Sequence, residues 1–171
     1  MTEGTILLIQ TNGFLPDQIR LHMKILAKRL KREPLPYNHA EIVVRYKGQL
    51  MSMGARAKGA EMTPLIEYLE KHTNYLALIP KVPLTEDEIN KLESYAWLIC
   101  VHHKTPYQYF MFLGWIAKLK SWGLFNWGEK GDKKVYCFEL VNHAVRLLSR
   151  CAVDGLVSIY DIYDYKDYRH D

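Results

Sequence analysis

Two hydrophobic periods run through the chain. The short apolar run Thr5 to Thr11 (T-I-L-L-I-Q-T), closed by Asn12-Gly13, predicts a buried strand. Pro16-Asp17 then opens a helix to about Lys31, with an acid at its start and bases at its end, as the helix dipole favours. Glu33-Pro34-Leu35-Pro36 stops it. His39 to Tyr46 is β-branched and runs into Lys47-Gly48, a turn, before Gln49 to Ala55, so a hairpin is expected. Period two puts His39, Glu41, Val43 and Arg45 on one face. A tight turn at 47–48 sets Ser52, Gly54 and Arg56 on the same face of the partner strand.

Thr63-Pro64 predicts a short helix over Leu65 to Glu70, with Glu67 completing a capping box. Tyr75 to Ile79 reads as a strand. Thr85-Glu86-Asp87-Glu88 starts a helix that extends to about His102 or His103, before Thr105-Pro106. An aromatic-rich helix is expected over Tyr107 to Trp122, and a long loop over Ser121 to Lys134. Apolar residues at 140, 141, 144, 145, 147 and 148 then repeat with helical spacing, predicting a helix from about Tyr136 to Arg150. Ala152 to Tyr160 holds a short strand, and the acidic, tyrosine-rich tail 161–171 is expected to be partly mobile. The pattern is mixed α+β. Without repeats or linkers, residues 1–171 read as a single domain.

Composition narrows the function classes. Apolar residues make up 49% of the chain and charged residues 25%, which is ordinary globular usage. A net charge of +4 does not identify a nucleic-acid binder. The densest basic run, Lys24 to Arg32, reads as the solvated face of an amphipathic helix, so no nucleic-acid partner is expected. Three widely spaced cysteines match neither a disulfide framework nor a zinc motif. Asp161, Asp164 and Asp167 lack Ca²⁺-loop spacing, and neither metal nor cofactor is expected. The N-terminus lacks a signal-peptide pattern and no run reads as a transmembrane segment. A soluble, cytoplasmic product is the expectation.

Cys137 falls at the start of the helix after the charged loop Glu129 to Lys134. Unpaired backbone N–H groups at a helix start carry partial positive charge and stabilise a thiolate. That is a setting for a nucleophile, and equally for a small buried core residue. A nucleophile needs a base. His22, His72, His143 and His170 lie on helix faces or in the tail. His143, six residues beyond Cys137, is turned about 240° away around the helix. His102-His103 ends a helix, where a cation is favoured anyway. His39 instead begins a strand after the Pro-bounded segment Pro34 to Asn38.

Several of these segments together resemble a known family. Gly4-Thr5-Ile6-Leu7-Leu8 is similar to a Gly-Asp-Ile-Leu strand, and Asn12-Gly13-Phe14-Leu15 to the segment that follows it. Tyr37-Asn38-His39-Ala40-Glu41-Ile42-Val43-Val44 is similar to a Tyr-Ser-His-Val-Gly-Ile-Val-Val strand. Tyr107-Gln108-Tyr109 matches a Tyr-Asp-Tyr element, and Tyr136-Cys137-Phe138-Glu139-Leu140-Val141 a Tyr-x-Cys-Ser-Glu-Leu-Val helix start. Over roughly residues 4 to 148 the chain resembles the circularly permuted papain-like proteins of the NlpC superfamily, of the YiiX and YaeF type.

The resemblance implies an antiparallel sheet or barrel packed against the cysteine-bearing helix. It implies a cysteine peptidase- or amidase-like hydrolase or acyltransferase, with His39 as base and Cys137 as nucleophile. Backbone N–H groups of Cys137 and Phe138 would then serve the oxyanion. The substrate class is a small molecule, a peptide or a lipid-like acyl compound. Relatives usually carry a polar residue, often Glu, on the strand after the His strand. Here that strand offers Ser52, while Glu41 stands where relatives usually have Gly, so the third residue is Ser52 or Glu41. With neither, the chain is a binding or structural module on the same fold.

Overall fold

The structure is a computed structural model that describes residues 1–106, 136–150, 152, 154 and 157–171, and for residues 14–16 the backbone alone. The helix and loop expected over 107–134, and the Tyr-Asp-Tyr-like element, lie outside the described residues.

Among the described residues, six strands form one antiparallel sheet: β1 (Ile6–Ile9), β2 (His39–Tyr46), β3 (Gln49–Arg56), β4 (Gly59–Pro64), β5 (Tyr75–Pro80) and β6 (Tyr168–His170). Among the described residues their order is β4-β3-β2-β1-β5-β6, with β4 and β6 outermost. All four residues of β1 are buried, as a continuous apolar run on a central strand requires. The β2–β3 hairpin pairs Tyr46 with Gln49 and Val43 with Ser52, the register expected from a two-residue turn. Lys47 (φ 50) and Gly48 (φ 77) both take the positive φ that such a turn needs.

Alternation along the strands divides the core. Ile6, Leu8, Ile42, Val44 and Met53 pack on one side with Met23 and Ala27 of α1 (Phe14–Leu30). The stripe Leu140, Val141, Ala144 and Val145 of α4 (Cys137–Leu147) joins the same cluster. Leu7, Ile9 and Val43 face the other way, onto Leu65 and Tyr68 of α2 (Leu65–Lys71). α3 (Glu86–Ala96) starts in a complete capping box between Thr85 and Glu88 and runs into a π-helical turn, Trp97–His102.

Two expectations need correction, and one strand was missed. β4 was not foreseen, because its small and polar residues carry little strand signal. Thr63 belongs to that strand and does not cap α2, whose N-cap is Pro64 without a side-chain bond; the Thr63 hydroxyl instead accepts from Arg56. Ile159 and Tyr160 are not strand but open a short helix, α5 (Ile159–Tyr163), because Ser158 and Asp161 close a capping box. The tail is paired and packed. β6 pairs with β5, the Asp171 N–H donates to the Ala77 carbonyl at 2.9 Å, and the Tyr165 hydroxyl donates to Asn142 at 2.6 Å. Tyr165 and Tyr168 are buried, so its tyrosines serve as core residues.

Thr85 of the α3 capping box is exposed, so its loss is separable from the core. Thr85→Ala is expected to lower unfolding free energy by roughly 1 kcal/mol, read as a shifted urea midpoint with unchanged slope.

Candidate active site

α4 begins at Cys137, with Tyr136 as an extended N-cap residue (φ −112°, ψ 166°). The first bond of the helix runs from the Leu140 N–H to the Tyr136 carbonyl, so the N–H groups of Cys137 and Phe138 find no acceptor within the helix. The Tyr136 hydroxyl accepts from the Val157 N–H at 2.9 Å, which ties the helix start to the segment before α5. Cys137 is 1% exposed.

β2 begins at His39, beside the start of α4. Its imidazole hydrogen-bonds the Cys137 side chain and, through Nε2, Glu41 Oε1 at 3.0 Å. With Nε2 held by the carboxylate, Nδ1 is the nitrogen left for the sulfur. Burial pulls the His39 pKa down. Attraction and hydrogen bonding to Cys137, then to Glu41, outweigh it and push the value up to about 10.

Glu41 lies fully buried, two residues on from His39 along the strand. Burial alone would raise its pKa, but Arg56 and His39 bring it down to about 2. Arg56, at the end of β3, grips the carboxylate with both prongs, Nε to Oε1 at 2.8 Å and Nη2 to Oε2 at 2.7 Å. The hydroxyl of Ser52 donates to Oε2, and the hydroxyl of Tyr68 on α2 donates to the same carboxylate. Arg56 also lies over the Tyr68 ring, 4.6 Å from its centroid. Glycine at 54 makes room for this: a Cβ there would come within 2.6 Å of Glu41 Cγ and Cδ.

His39, Glu41, Ser52 and Cys137 therefore meet, in a definite order. Glu41 touches His39, and Ser52 touches Glu41. The other histidines serve elsewhere. His22 Nδ1 bonds the Gln18 carbonyl, His72 lies against Tyr68, His170 bonds the Tyr163 carbonyl, and His102 and His103 sit exposed in contact with each other. His143 is exposed on α4. Arg56 and Tyr68 are the contributors that sequence reasoning passed over. Strand alternation had already placed Arg56 on the Glu41 face. Nothing in the sequence pointed to Tyr68. Among the described residues, no group of three or more His, Cys, Asp or Glu side chains is arranged to hold a metal ion. No described helix is long and apolar enough to cross a membrane.

No family model matches the chain, and no curated protein matches it. A solved structure does: the crystal structure of metalloprotein yiiX from Escherichia coli O157:H7, at a TM-score of 0.67 and 14% identity. The match covers 99% of this chain and 96% of that one. The chain has a YiiX-like fold. The likeness spans β1 through β6 and so includes the tail.

Two outcomes test this geometry. Gly54→Ala is expected to push Glu41 aside and cost about 1–3 kcal/mol, more than the same change at an open strand position; urea melts give the comparison. Because the folded-state pKa of Glu41 is depressed, its contribution is complete above the unfolded value of 4.5 and is lost as pH falls through about 2. Stability of the wild type should therefore drop between those values more steeply than that of Glu41→Gln. Parallel acid limbs would contradict a buried ionised Glu41.

Proposed function

We propose that this chain is a thiol hydrolase or acyltransferase that cleaves an amide, ester or thioester through Cys137. What carries the reading is one arrangement: an imidazole held between a thiol at a helix N-terminus and a buried carboxylate. His39 takes the thiol proton at Nδ1, and the sulfur attacks the carbonyl carbon. The oxyanion that forms lies near the N–H groups of Cys137 and Phe138, which point out of the helix start. When the carbon–heteroatom bond breaks, the imidazolium gives its proton to the leaving group and an acyl-thioester remains on Cys137. Water or another acceptor, deprotonated by His39, then releases it. Glu41 stays ionised and keeps Nε2 as the donor to it, which leaves Nδ1 as the base.

The permuted papain-like reading is part of this proposal. Its support is the chain order, His strand before Cys helix, together with a YiiX-like fold. Relatives by resemblance draw the orienting carboxylate from the strand after the His strand. Here Glu41 occupies β2 and glycine stands at 54 on β3, so the same space is filled from the other strand. The alternative, a binding module, leaned on the missing acid, and Glu41 supplies it. A peptide, small-molecule or lipid-like acyl substrate suits the chemistry equally.

The E. coli neighbour is described as a metalloprotein. The residues described here do not fit such a role at this site. Both oxygens of Glu41 already accept hydrogen bonds from His39, Ser52 and Arg56. No step is assigned to a metal.

Iodoacetamide labelling of Cys137 across pH, located by peptide mass mapping, tests the reading. Labelling should stay fast well below the free-thiol pKa of about 8.5, and His39→Ala should slow it at pH 6 by tenfold or more. An ordinary thiol profile, indifferent to His39, would sink the proposed enzyme. Screening of esters, thioesters and peptide amides follows from a positive result.

A further inference from the structure

The structure assigns Arg56 a role in the proposed chemistry: a positioning residue whose half-buried cation balances the charge of the Cys137–His39–Glu41 set, so that the sulfur can hold its negative charge. This inference rests on the reading of Cys137 as nucleophile, and it concerns a residue that reaches the set through Glu41.

The argument is one of charge in a place with little water. With its proton moved to His39, the Cys137–His39 pair has one negative and one positive member. Glu41 adds a second negative charge and is fully buried. Unbalanced buried charge is costly, and a buried set relieves it by moving protons. Arg56 closes the sum: two cations, His39 and Arg56, face two anions, Cys137 and Glu41. If Arg56 is removed, the set carries one surplus negative charge. The simplest relief is a proton on sulfur, which leaves the His39–Glu41 pair neutral overall and the nucleophile spent.

Among the described residues, the surrounding groups do not replace Arg56. On α2, burial raises the Tyr68 hydroxyl out of the titrating range, so it stays a neutral donor, and burial lowers the His72 pKa, favouring its neutral form. In the π-helical turn, burial pushes the Cys100 thiol up to about 12 despite Arg56, so it brings no charge. Tyr95 of α3 is likewise held neutral by burial. Glu61 on β4 lies 3.9 Å from Arg56 and is 37% exposed, where water screens it. Glu139 of α4 turns back to the Tyr136 backbone. Ser52 and Thr63 add neutral hydroxyls. Arg56 is therefore the cation that meets Glu41 from β3, fixed there by the carboxylate, by Thr63 and by the Tyr68 ring.

A merely structural arginine would cost stability when removed, and further damage to its partner would only add to the loss. Charge balance makes a different prediction. Arg56→Met should slow alkylation of Cys137 by iodoacetamide at pH 6 by about tenfold, the effect of one pKa unit on the reactive fraction. Adding Glu41→Gln to that variant removes the surplus negative charge and should recover a large part of the rate. Circular dichroism and urea melts would accompany both. Labelling of Arg56→Met at the wild-type rate, or a double variant slower still than Arg56→Met, overturns the inference. Should Arg56→Met not fold, Arg56→Lys decides. It keeps the charge and loses the fork, so labelling within about threefold of wild type supports charge balance, and a drop of tenfold or more overturns it. Wild-type Cys137 behaving as an ordinary thiol, indifferent to His39→Ala, overturns the enzyme reading and this inference together. An activated wild type with an unresponsive Arg56→Met overturns this inference alone.

Discussion

A carboxylate without access to water must be answered by other groups, and Glu41 is answered on every side. Arg56 meets it with two charge-assisted bonds, His39 with one, and Ser52 and Tyr68 with hydroxyls. Removing one partner of such a buried pair typically costs about 3–5 kcal/mol, because the remaining charge is left in low dielectric. The carboxylate thus links β2, β3 and α2 at one point. Replacing a buried ionic cluster with well-packed apolar residues is often neutral or stabilising. A cluster of ions kept at that cost suggests a use for the ions, and the proposed chemistry is such a use.

The rest of the fold delivers the sulfur to that cluster. An apolar stripe on α4 seats the helix against β2 and β3 through Leu140, Val141, Ala144 and Val145. Those contacts set where the helix begins, and Cys137 is its first residue. Tyr136 and Val157 fix the end from behind, and the tail behind Val157 is itself anchored on β5 and on Asn142. The last residues of the chain, remote in sequence from β2, thereby help to hold the Cys137–His39 distance. A gap of even an ångström would separate sulfur from imidazole.

Much of this is legible in the sequence. The hairpin register followed from a two-residue turn, and with it the shared face of His39, Glu41, Ser52, Gly54 and Arg56. The cap at Thr85 and the start of the helix at Cys137 were local signals, written in a few neighbouring residues. β4 and the pairing of the tail are not legible there. β4 is held by pairing with β3 more than by its own residues, and the tail tyrosines become apolar core only where β5 and α4 offer them a surface. The choice between Ser52 and Glu41 was equally closed to sequence, because both share the face and only side-chain reach separates them.

Local chemistry and short periodicities, then, are properties of the chain itself. They specified the nucleophile candidate at a helix start, the histidine at a strand start, and the strand faces. Tertiary structure decided that these two meet, that Glu41 rather than Ser52 contacts the imidazole, and that Arg56 and Tyr68 complete the site. The reason is physical. Hydrogen bonds within a turn or hairpin depend on residues a few positions apart, whereas the bond between His39 and Cys137 depends on how a whole helix packs on a whole sheet. A buried charge, likewise, is defined by what surrounds it in space, and no stretch of sequence lists those neighbours.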